Sequence, residues 1–166
     1  MIRDPTPIFQ AVLVAAAAFA VTSARAAEAG PKFAAILDVC EARTLDEATI
    51  RGGQLGWPVA PEDRAWRTGF ERHNGGTVRV AGWRRGPRDG DGLLSFWVAS
   101  GPNAHTACTL ATDRPGLLEE LRGRFGAPDT LDGQDDVVSA FWRRGGREIA
   151  FTRVGASTSL NLSHRD

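Results

Sequence analysis

From Thr77 to the C-terminus, glycine-centred turns cut the chain into short segments whose apolar residues recur at every second position. Segments of this kind are strands with one covered face, and connections of a few residues join antiparallel neighbours. The first group is Thr77–Arg84, Leu93–Ala99 and Ala104–Ala111, separated by a glycine-rich turn over Gly86–Gly92 and by Ser100-Gly101-Pro102-Asn103. The second is Val137–Arg143, Arg147–Val154 and Thr158–Ser163, separated by Gly145-Gly146 and Gly155-Ala156. Val78 and Val80 face one way and Trp83 the other, while Thr106, Cys108 and Leu110 share one side. Glycine and proline supply 19 and 9 of the 166 residues, which suits a turn-rich sheet and opposes a coiled coil.

Helical spacing occurs only between and ahead of these groups. Phe33, Ile36, Leu37 and Cys40 form one face of a helix over Pro31–Ala42. Thr44-Leu45-Asp46-Glu47 is a capping box, opening a helix with Leu45, Ala48, Gly52 and Leu55 on one face and Gly56 at its end. A third helix, entered through Asp113 and Pro115, carries Leu117, Leu118, Leu121 and Phe125 and stops at Gly126 and Pro128. Residues 59–70 read as a charged connector anchored by Trp66 and Phe70, and Asp129–Asp136 as a polar loop. The order αα-βββ-α-βββ predicts a two-layer α+β domain: an antiparallel sheet of about six strands covered by two to three helices.

The N-terminus reads as an address. An apolar run from Ile8 to Val21 precedes Ala24-Arg25-Ala26, the layout of a secretory signal peptide with its small-residue cleavage site. Residues 1–26 are expected to be removed, leaving 27–166 as one periplasmic or secreted domain. Cys40 and Cys108 then lie in an oxidising compartment, which favours a structural disulfide over two buried free thiols, and no C-x-x-C supports a redox pair.

The charges balance at 20 basic and 20 acidic residues, so no global field draws the chain to nucleic acid or anionic membrane. No nucleophile elbow, P-loop, H-E-x-x-H or dinucleotide fingerprint occurs, so no catalytic residue, metal ligand or cofactor is assigned. Asp89-Gly90-Asp91-Gly92 lacks the remaining ligands of a calcium loop and reads as a turn. A histidine-centred hydrolase site would have to be assembled by folding, from His105 with Ser100 or Asp113.

The most suggestive polar feature is duplicated. Val78–Gly86 and Val137–Gly145 align at an offset of 59, matching Val, Ala, Trp, Arg, Arg and Gly. Trp83-Arg84-Arg85 and Trp142-Arg143-Arg144 are therefore candidate ligand-binding corners, in which arginine beside an exposed aromatic holds a carboxylate or phosphate. The alternative is that the arginine stems merely cover the tryptophans. Trp57, Trp66 and Trp97 read as core or core-edge residues.

Cys40, Gly56-Trp57 and Cys108-Thr109-Leu110, after a signal peptide, resemble elements of a diffuse group of small secreted Gram-negative bacterial proteins without assigned function. The resemblance implies a periplasmic location and no activity. The expectation is an exported, non-catalytic binding module for an unknown protein or a small anionic ligand, contacting it through a sheet face, an edge or the Trp-Arg-Arg corners. A small secreted hydrolase and an anion-binding protein are the alternatives.

Overall fold

The computed structural model describes residues 32–87 and 92–164. The expected signal peptide and the Asp89-Gly90-Asp91 turn lie outside them. Four helices, α1 (Phe33–Cys40), α2 (Leu45–Gly53), α3 (Arg64–Asn74) and α4 (Leu117–Phe125), accompany seven strands. The strands are β1 (Val78–Arg84), β2 (Leu93–Ala99), β3 (His105–Thr112), β4 (Thr130–Gln134), β5 (Val137–Arg144), β6 (Arg147–Val154) and β7 (Ser157–His164). They form one antiparallel sheet in the order β1-β2-β3-β7-β6-β5-β4. The α+β class holds, with one helix and one strand more than expected.

Both additions have a physical explanation. β4 lies in the segment expected to be a polar loop; all five of its residues are exposed, so no alternation of apolar and polar positions marks it. Its backbone pairing with β5, Thr130 opposite Phe141 through Gln134 opposite Val137, makes it a strand. α3 occupies most of the supposed connector. Asp63 caps it by accepting a hydrogen bond from the Trp66 N–H at 2.9 Å, and Gly75 closes it at φ 71°. None of its residues is buried, which is why its apolar stripe is short.

α1, α2 and α4 cover one face of the sheet. Two rows of side chains cross that face over six strands. One runs Trp83, Leu94, Leu110, Leu160, Phe151, Ala140. The other runs Trp142, Ile149, Leu162, Cys108, Phe96, Ala81. Apart from the half-buried Ala81, all are buried, and each large apolar side chain withdrawn from water stabilises the fold by about 1.5–3 kcal/mol. α1 adds Phe33, Ile36, Leu37 and Val39, and Cys40 is joined to Cys108 of β3 by a disulfide.

Read in opposite directions, the two rows carry the same kinds of residue in the same order. A pseudo-two-fold axis perpendicular to the sheet, between β3 and β7, exchanges β1-β2-β3 with β5-β6-β7. It passes by the Thr109–Asn161 pair, where the Asn161 amide donates to the Thr109 hydroxyl at 3.1 Å. Turn hydrogen bonds obey the same symmetry: Ser100 N–H donates to Thr77 O and Gly155 N–H to Asp136 O, both at 2.9 Å. So do the helix exits. Leu55-Gly56-Trp57-Pro58 leads out of α2, and Gly126-Ala127-Pro128 leads out of α4 after its last residue Phe125, with Gly56 and Gly126 at φ 70° and 80°. The matching segments at offset 59 thus occupy equivalent places in two halves of one sheet.

Candidate interaction surface

The other face of the sheet carries no layer of helices. Its centre is built from short uncharged side chains: Ala107 and Thr109 on β3, Ser159 and Asn161 on β7, Ala150 and Thr152 on β6. Each points away from the helical layer because its neighbours along the strand point into it. The central floor is three strands wide, about 14 Å at the usual spacing.

One side of this floor is walled. α3 lies across the β1–β2 end, where Trp66 stacks on Phe70 with ring centroids 5.3 Å apart. Both rings meet Trp97 edge-on, at 5.8 and 6.5 Å, and Phe70 reaches His105 at 6.1 Å. Trp66 stays 41% exposed, whereas the Trp97 Nε1 is buried without a hydrogen-bond partner among the described residues. Glu71 of α3 accepts from the Val78 N–H at 3.0 Å, tying the helix to the sheet edge. On the far side stand Phe141 and Arg143, the guanidinium 5.8 Å from the ring centroid and 3.0 Å from Glu148.

The Trp-Arg-Arg corners are not the exposed aromatic–cation sites expected. Trp83 is 2% exposed and Trp142 0%, both inside the helical layer. Trp142 donates from Nε1 to Gly126 O at 2.9 Å. Arg144 clamps the exit of α4: it donates to both carboxylate oxygens of Asp129 at 2.8 and 3.0 Å, to Phe125 O at 3.1 Å and to Ala127 O at 2.6 Å. The Arg144 side chain, followed by the Arg143 backbone N–H, holds the Asp129 carboxyl below its ordinary value of 3.8. Arg84 and Arg85 use their backbone N–H groups on Pro58 O and Gly92 O, both at 2.9 Å. The two corners lie at opposite ends of the sheet on β1 and β5, five strand spacings or about 24 Å apart, so no small anion spans both.

His105 is not brought to Asp113 either. Asp113 follows the far end of β3 from His105, about 26 Å away at the ordinary strand rise. Ser100 shares its hydroxyl hydrogen bond with Thr77 at 2.6 Å, and the His105 Nδ1 lies 2.8 Å from Asn103 O. Among the described residues, no three His, Cys, Asp or Glu side chains group as metal ligands, and no helix is long and apolar enough to cross a membrane. A cleft of about 460 Å³ at the end of α1 brings Arg43, Arg147 and His164 beside Glu41 and the disulfide. Glu41 already accepts from Arg124 and Arg147, each at 3.2 Å, so the cleft is an ion-pair network more than an anion receptor.

No family model matches the chain, and neither the curated proteins nor the solved structures provide a match. The surface must therefore be read from its own chemistry. The central floor, with Thr109 and Asn161 at its midpoint, escaped the sequence reading; Trp66 and Phe70 were read as anchors, but the helix that carries them was not. The offset-59 similarity was a partial signal: it pairs β1 with β5, while the floor strands β3, β6 and β7 lie outside the matched segments.

Proposed function

We propose that the chain is an exported, non-catalytic binding module that presents the open face of its sheet to a protein partner. The observation that carries this reading is the composition of that face. Short side chains such as Thr109, Thr152, Ser159 and Asn161 let a partner's larger groups approach the backbone closely, at little desolvation cost because no floor residue is charged. The floor and its walls together offer several hundred square ångströms, the scale of one side of a specific protein interface. Export of residues 27–166 into the periplasm or medium is part of the proposal, supported by the apolar run ahead of Ala24-Arg25-Ala26 and by the Cys40–Cys108 bridge. So is kinship with the small secreted Gram-negative proteins that the cysteine and Gly-Trp elements resemble.

Photo-crosslinking tests the reading. A benzophenone amino acid at Ser159, on the open face, is expected to give a discrete protein adduct in periplasmic extract; the same group at Arg122, on the outer side of α4, is expected to give none. Equal labelling from both positions, or none from Ser159, rules the open face out. Mass analysis of the secreted product should begin at Ala27.

A further inference from the structure

The pseudo-two-fold symmetry of the sheet is broken at one place on the open face. In the first half, Val78 pairs with Ala99 beneath α3, and both are 4% exposed. The symmetry-equivalent pair in the second half is Val137 opposite Val154, and these are 42% and 56% exposed. The neighbouring positions correspond too: Val80 and Trp97 map onto Ser139 and Thr152, which are paired in the same register. The first half inserts α3 between its helix exit and its first long strand. The second half inserts β4 there instead, which extends the sheet sideways and leaves the face above Val137 and Val154 bare.

A depression of about 530 Å³ marks this spot, lined by Asp132, Gly133, Gln134, Asp135, Val137 and Ser139. Its rim is acidic. Asp132, Asp135 and the adjoining Asp136 make no ion pair among the described residues. α3, the element that covers the equivalent surface, carries Trp66 and Phe70 four residues apart on one side, with Arg64, Arg67 and Arg72 along its length.

We infer that the Val137–Val154 surface receives a basic amphipathic helix from the protein partner, seated as α3 is seated on the first half. Aromatic anchors spaced i and i+4 cover the two valines, and arginine or lysine meets Asp132, Asp135 and Asp136. The inference rests on the open-face binding proposed above and adds the kind of partner and the part of the face it uses.

The probe is the isolated peptide of residues 64–74, acetylated and amidated, titrated into the isotope-labelled oxidised protein and followed by amide chemical shifts. Shifts should concentrate at Val137, Ser139, Thr152 and Val154. Exchange of Val137 and Val154 for Asp, both exposed and thus compatible with folding, should weaken binding at least about tenfold, as expected when the apolar anchors of a small interface meet charge. Exchange of Asp132 and Asp135 for Asn should weaken it about threefold to fivefold and flatten its salt dependence. Shifts confined to Val78, Trp97 and His105, meaning that the peptide displaces α3, would overturn the inference, as would no shift at millimolar peptide. An adduct at Ser159 that survives the valine exchanges would leave the open-face function standing and remove only the helix assignment.

Discussion

Gly52 of α2 sits directly on the ring of Trp83. A Cβ added there would lie 2.7 Å from Trp83 Cη2 and closer still to Cζ2 and Cε2, where ordinary contact begins at 3.4 Å. Trp83 is 2% exposed and held between α2 and the sheet, so the ring has no free space to enter. Alanine is the better helix former by about 1 kcal/mol, which on an exposed helix would make Gly52→Ala stabilising. Overpacking a filled core acts the other way, by about 1–3 kcal/mol and occasionally more. With the added atom falling on the ring itself, the upper end applies and the net loss is about 2 kcal/mol. For a domain of this size that lowers the melting temperature by about 8 °C. The decisive measurement is a double-mutant cycle with Trp83→Phe, in which the six-membered half of the indole is gone. In that background Gly52→Ala should raise stability by about 1 kcal/mol, giving a coupling of about 3 kcal/mol by denaturant unfolding. The same destabilisation in both backgrounds, or a stabilised single variant, would show that close packing of α2 on Trp83 is not the reason for the glycine.

Three further outcomes are expected. Removing the bridge as Cys40→Ala with Cys108→Ala should reduce unfolding free energy by about 4 kcal/mol, since the 68-residue separation sets the chain entropy released; guanidinium melts should show it, and a loss under 1 kcal/mol would contradict it. Thr44→Ala should cost about 1 kcal/mol and raise amide exchange in the first turn of α2, because the Thr44 hydroxyl accepts the Glu47 N–H at 3.1 Å. Asp129 has a folded value below its ordinary 3.8, so its contribution is complete above 3.8 and disappears as pH falls through the lower folded value. Acid melts of Asp129→Asn should therefore be flatter below pH 4 than those of the parent, and parallel curves would count against the Arg144 clamp.

What the sequence made legible follows from which residues are paired with the core. Six long strands and three helices could be read because their apolar residues repeat at 2.0 or 3.6 positions, and that repeat exists wherever one side is buried. β4 buries nothing, so its existence depends on backbone partners in β5 that only the fold supplies. α3 was readable from Asp63 and Gly75 at its two ends, yet Trp66 and Phe70 are its only large apolar residues and none of its residues is buried. The Trp-Arg-Arg motif misled for a related reason. Neighbours in a strand point to opposite sides, so Trp83 and Arg84 cannot form one exposed cluster; alternation alone separates them. The cysteine pairing was legible from the expected oxidising compartment and from the helical face carrying Cys40. The open face was not, since Ser, Thr, Asn and Ala there differ little from solvent-exposed residues of any strand.

α1 has no counterpart in the second half. It is bonded through Cys40 to β3 of the first, and Glu41 at its end holds Arg124 of α4 and Arg147 of β6 in the second. A single short helix therefore fastens two similar lobes that otherwise meet along the β3–β7 ladder and the shared core. Reduction of the bridge would leave α1 tied to the first lobe by packing against α2, β2 and β3 alone, and to the second by the Glu41 ion pairs.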